Sequence, residues 1–155
     1  MDLAKNLKID SVSRLHPTPP LQIEPAQTVG EAVALMRRER VGCLLVCQNK
    51  RLVGIFTERD LMRRVLAAGK PLSVRVAECM TPRPATAHPK DSVASAVKRM
   101  EEGGYRHLPV VDEAGQPVGV LSVKRIVHYL VEHFPATVYN LPPDPGAVPL
   151  EPEGA

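Results

Sequence analysis

Apolar residues recur along this chain with two periods, and the switches between them mark out its elements. Leu21 and Ile23 alternate with polar neighbours, as a short strand does. Val29, Ala32, Val33 and Met36 then fall at i, i+3, i+4 and i+7, one face of a helix. Thr28 is placed to cap that helix, with Glu31 three residues on to complete a capping box. Arg37, Arg38, Glu39 and Arg40 crowd its last turn, where cations suit the negative end of the helix dipole. Val41 to Cys47 is a strongly apolar strand, Gln48-Asn49-Lys50-Arg51 a turn, and Leu52 to Phe56 a return strand. A connection that tight predicts a hairpin. Glu58 to about Ala68 reads as a helix with Leu61, Met62, Val65 and Leu66 apolar, ended by Gly69.

The same pattern then starts again, about 65 residues later. Pro89 matches Pro25, and Val93, Ala96, Val97 and Met100 match the first helix stripe. His107-Leu108-Pro109-Val110 falls on Cys43-Leu44-Leu45-Val46, and after a one-residue difference in the turn Gly119 falls on Gly54. The expectation is an α+β fold of two repeats, each strand-helix-strand-strand-helix. A unit of this size hardly buries a core alone, whereas two packed face to face bury one and leave a cleft between them. The first repeat is placed at 15–70 and the second at 71–134, including a linker at 71–78. Residues 1–14, with little periodicity, form an N-terminal extension. A Pro-rich tail at 135–155 reads as extended or disordered.

Composition narrows the partners. Aromatic residues are 3% with no Trp, so the core is aliphatic, and a net charge of +3 suits a small anion. That charge is too weak to argue for nucleic acid, and stacking aromatics are scarce. No apolar run is long enough to cross a bilayer and no signal-peptide core follows Met1, so no membrane is expected. Cys43, Cys47 and Cys79 are odd in number and lack a CxxC, which argues against a disulfide framework and for a reducing cytoplasm. Cys43 and Cys47, four apart on one strand face, read as small buried hydrophobes, with too few neighbouring ligands for a metal. No nucleophile paired with a base, P-loop or metal-ligand cluster is present, so no enzyme is expected.

The two repeats differ where a strand runs into a helix. The first carries Val53-Gly54-Ile55-Phe56-Thr57-Glu58-Arg59-Asp60, with Thr57 as cap and Asp60 at capping-box spacing. The second carries Val118-Gly119-Val120-Leu121-Ser122-Val123-Lys124-Arg125, with a guanidinium where the first has a carboxylate.

These junctions, with Met80-Thr81-Pro82 and Gly104-Tyr105-Arg106-His107-Leu108-Pro109-Val110-Val111-Asp112, resemble the tandem cystathionine-β-synthase (CBS) domain pair, or Bateman module. The resemblance runs from about Leu15 to His133 and is similar to the stand-alone bacterial forms. It implies a pseudo-twofold pair of small sheets with a central cleft, homodimers shaped as flat discs, and no catalysis by the module. It also implies an adenosine-containing ligand: AMP, ADP or ATP, with S-adenosylmethionine ranked lower, and no required cofactor.

By that resemblance Thr57 and Asp60 contact the ribose. A carboxylate accepts hydrogen bonds from two adjacent hydroxyls, and a helix N-terminus offers free N–H groups to an anion. Arg125 has only donors, so the second-repeat site is expected to be empty or weak. A Lys-Arg pair at this junction resembles one repeat of the γ subunit of AMP-activated protein kinase. It implies that Lys124 and Arg125 face the phosphates. Basic residues at Arg106 and His107 also meet phosphate in the family, but strand alternation sends the two to opposite faces, so at most one is expected as a strong contact. The adenine wall is assigned to Val41, Gly42, Cys43 and Leu44, with Ile23 beside them. Asp60→Ala is expected to abolish ribose-dependent binding at the cost of a surface cap, about 1 kcal/mol. The resulting reading is a sensor that acts on an unidentified regulated protein. The alternative is a structural dimerisation module with vestigial clefts.

Overall fold

The computed structural model describes residues 3–134; the tail at 135–155 lies outside the described residues. The N-terminal segment forms helix α1 (Leu3–Ile9) and a 3-10 turn (Val12–Leu15). The first repeat follows as β1 (Gln22–Ile23), α2 (Val29–Glu39), β2 (Cys43–Gln48), β3 (Arg51–Thr57) and the short helix α3 (Glu58–Asp60). Helix α4 (Val76–Cys79) and strand β4 (Thr81–Pro82) lead to α5 (Val93–Gly103), β5 (His107–Val111), β6 (Pro117–Ser122) and α6 (Val123–His133).

Each hairpin has a local cause. Asn49 and Lys50 sit at φ 52° and 65°, the left-handed pair that matches the twist of a two-residue β-turn. In the second hairpin the Asp112 carboxylate accepts from Ala114 N at 3.0 Å and Gln116 N at 2.9 Å, and Gly115 supplies φ 79°. Helices α2, α3, α5 and α6 are each capped by the hydroxyl of Thr28, Thr57, Ser92 or Ser122.

Three details depart from the sequence reading. Glu31 does not close a capping box; its carboxylate accepts instead from Gln27 Nε2 at 2.9 Å. Past Asp60 the helix widens into a π-helical stretch, Leu61–Leu66, before Gly69 ends it at φ 66°. The leading strand of the second repeat shrinks to one parallel bridge, Ala87 to Val110.

The larger departure is an exchange of segments. Strand β4 precedes the second repeat, yet it pairs with β3 of the first. Reciprocally Thr18, which precedes β1 of the first repeat, bridges Val120 in β6 of the second. Gly54 and Gly119 allow these crossings. A Cβ on Gly54 would lie 2.5 Å from Met80 Sδ, and one on Gly119 2.7 Å from Pro17 Cβ.

The core follows the same logic. One cluster gathers Ile23, Val29, Ala32, Leu44, Phe56, Val65 and Val76 under the helices of the first repeat. A second gathers Ala96, Leu108, Leu121 and Tyr129, and Val12 and Leu15 of the N-terminal segment belong to it. That segment therefore packs on the second repeat, with Leu3 and Leu7 one turn apart on α1 and Val12 and Leu15 on the 3-10 turn. A third cluster, Cys43, Leu45, Cys47, Ile55 and Val120, joins the two sheets. Among the described residues no helix is long and apolar enough to cross a membrane.

A carboxylate pins the start of α5. Asp91 accepts from His88 N at 2.9 Å and from Arg99 Nη1 at 2.9 Å, and these hold it below its ordinary carboxyl value of 3.8. A depressed folded-state value stabilises the protein above the ordinary carboxylate range and is lost as pH falls through the folded value. Asp91→Asn is therefore expected to cost about 1 kcal/mol at pH 7. The gap to the wild type should close as pH falls below 3.8, in urea titrations at neutral and acid pH.

Candidate functional site

The strand-to-helix junctions of the two repeats are built alike. In the first, Thr57 lies opposite Cys43 in the β-ladder, and Glu58 N donates to Gly42 O at 3.1 Å. In the second, Ser122 lies opposite His107, and Val123 N donates to Arg106 O at 3.2 Å. The repeats thus bring the same strand starts and the same caps to equivalent places.

Asp60 is 5% exposed and its carboxylate is already engaged. Oδ2 accepts from Thr57 N at 3.0 Å and Thr57 Oγ1 at 3.2 Å, which closes the capping box. Oδ1 accepts from Thr81 Oγ1 at 2.9 Å and lies 3.6 Å from Arg64 Nε. Arg64 in turn donates to Met80 O at 2.8 Å. A ribose diol reaches this acid only by displacing Thr81 or Arg64, since a carboxylate has about four acceptor positions.

Open space lies instead between the starts of β2 and β5. A cavity of about 140 Å³ is bounded by Val41, Gly42 and Cys43 of the first repeat and by His107, Val120 and Ser122 of the second. Thr18, Pro19 and Leu21 complete it. Burial, with the Asp60 charge behind it, pushes the Cys43 thiol up to about 12, so it faces the cleft as a neutral thiol. Half-buried His107 is held below its ordinary value by burial; Glu58 pulls it up and Arg106 pushes it down.

The structure divides the other residues singled out by sequence. Leu44 and Ile23 point into the helix-covered core of the first repeat, on the face of β2 opposite Cys43. Arg106 and Lys124 are exposed, and neither lines the cavity. Arg125 is half-buried and lines a separate cavity beside α6. Thr18 and Pro19 escaped the sequence reading. The signal was there, because Thr18 bridges β6 as Thr81 of Met80-Thr81-Pro82 pairs with β3. Among the described residues no group of three His, Cys, Asp or Glu is placed to hold a metal.

The CBS domain family model matches residues 12–67 and 76–132, more than two-thirds of the chain. The meiotically up-regulated gene 70 protein of Schizosaccharomyces pombe is 41% identical over 105 residues, which are 67% of this chain and 14% of that protein. The CBS domain-containing protein YhcV of Bacillus subtilis is 30% identical over 115 residues, 74% of this chain and 81% of that one. The chain therefore spans only a small part of some of its curated relatives and most of others. Among solved structures, the CBS domain protein PAE2072 of Pyrobaculum aerophilum, complexed with AMP, superposes with a TM-score of 0.72 at 28% identity. That match covers 79% of this chain and 97% of the other. The CBS domain pair of protein MJ0100, in complex with 5′-methylthioadenosine and S-adenosyl-L-methionine, gives 0.71 at 25% identity, covering 77% and 98%.

Proposed function

The chain belongs to the CBS-domain family, and on that premise we propose that it is a non-enzymatic regulatory module. In this reading it binds an adenine nucleotide between its repeats and passes the change to a partner protein. The observation that carries it is the cavity between Val41–Cys43 and His107, Val120 and Ser122, which both repeats build. Val41 and Val120 offer apolar surface to a base, and His107 and Arg106 offer donors to a phosphate. At about 140 Å³ the cavity is smaller than the usual small-molecule pocket of about 300–1,000 Å³. The base enters and the sugar and phosphate run along the cleft, so that binding parts the repeats. A ligand that favours the parted arrangement shifts the population towards it, and a partner reads that shift. Thr57 and Asp60 remain the ribose acceptors of the other junction, reached once Thr81 yields.

Neighbours with AMP and with S-adenosyl-L-methionine bound support the ligand class. AMP ranks above S-adenosylmethionine because the Arg106 charge next to His107 favours an anion. Calorimetry of the full chain with adenosine, AMP, ATP and S-adenosylmethionine tests this. AMP is expected to bind more tightly than adenosine and to raise the melting temperature. Absence of both heat and thermal shift with all four overturns the reading.

One observation favours the second reading, a dimerisation module with vestigial clefts. Asp60 is satisfied without a ligand, while Met62 and Val127 stand 62% and 52% exposed at equivalent positions of the helices after the two junctions. In either reading a homodimer buries these side chains. A concentration-independent monomer in sedimentation removes that part of the proposal.

A further inference from the structure

A second cavity, of about 180 Å³, lies between α6 and the N-terminal 3-10 turn. Arg14 and His16 face it from one side, and Arg125, His128 and His133 from the other. Glu132 is the acid on its wall and lies 3.5 Å from His128 Nε2. Arg14 lies 3.7 Å from Asp10, whose carboxylate also accepts from the Tyr129 hydroxyl. Arg125 differs. Its Nε is buried and has no hydrogen-bond partner among the described residues.

A buried donor without an acceptor carries the full cost of its lost hydration. Arg125 adds a second cost, because it is the third residue of α6, near the positive end of the helix dipole. An oxyanion against the guanidinium removes both. A tetrahedral anion also presents enough acceptor oxygens for two guanidinium groups and the imidazole N–H groups around them.

We propose that this cavity is a phosphate subsite, separate from the inter-repeat cleft, which takes inorganic phosphate or a phosphomonoester. Arg125 is its central ligand and Arg14 closes it from the N-terminal segment. An occupied subsite ties the N-terminal segment to α6 of the second repeat. The inference does not depend on nucleotide binding in the cleft.

Thermal unfolding of the full chain in inorganic phosphate, against chloride at matched ionic strength, reads the subsite. At about tenfold over Kd the expected rise in melting temperature is about 3–6 °C. Arg125→Gln is expected to weaken phosphate by about 10- to 150-fold, the range for losing a hydrogen bond to a charged group. Arg14→Gln should weaken it less. Val41→Trp, which fills the cleft, should leave the phosphate shift in place. The proposal is overturned by no shift beyond chloride or by an undiminished shift in Arg125→Gln. Loss of the shift in Val41→Trp overturns it too, since that puts the phosphate in the cleft.

Discussion

Val41→Trp is expected to weaken adenine-nucleotide binding by at least about a hundredfold, about 2.7 kcal/mol, while leaving the fold in place. Val41 precedes β2, its backbone N–H held by Met36 O at 3.1 Å, and its half-buried side chain borders the cavity. An indole there occupies the space proposed for the base. The ladder from Cys43 onward is untouched, because Val41 lies outside it. The measurement is calorimetry with AMP beside a melting curve of the same sample. Lys98→Gln, exposed on α5 and outside the cavity, is the control and should change affinity little. Wild-type affinity in Val41→Trp would move the ligand out of this cavity.

Asp60→Ala is expected to destabilise the chain by about 2–4 kcal/mol and to lower its melting temperature by about 5–15 °C. A cap at the surface costs about 1 kcal/mol, and the sequence alone supports no more. Burial changes the sum. The substitution leaves Thr57 N, Thr57 Oγ1 and Thr81 Oγ1 without their acceptor in a nearly closed site. It also cuts the tie from α3 to β4, the segment that runs into the second repeat. Urea titration measures the loss. Asp60→Asn, which keeps one acceptor oxygen, should fall between. A loss below about 0.5 kcal/mol in Asp60→Ala would show that the carboxylate does not hold this junction together.

The repeat, its helices and both hairpins were legible because each rests on local chemistry. The helix stripes Val29-Ala32-Met36 and Val93-Ala96-Met100 are buried, and Thr28, Thr57, Ser92 and Ser122 each cap a helix. What local chemistry does not carry is which repeat a segment joins. Thr18 makes a single bridge and Thr81 lies in a two-residue strand, and both pairings need a glycine beside the partner residue, Gly119 and Gly54, far away in sequence. The junctions show the same limit. Thr57 and Asp60 announced a capping box, and it formed. That Thr81 and Arg64 would fill the remaining lone pairs depends on the crossing of β4, which no spacing reveals. Leu44 and Cys43 were grouped as one wall, yet adjacent strand residues face opposite ways, so only Cys43 meets the cleft.

The reciprocal crossing also sets a timetable for synthesis. Asp10 and Tyr129 meet across 119 positions, so the opening segment leaves the ribosome long before its seat exists. Until then Val12 and Leu15 have no cover, and closing so long a loop costs entropy before any contact repays it. Nascent chains halted midway should therefore offer this stretch to holding chaperones, and release from them should coincide with the arrival of α6.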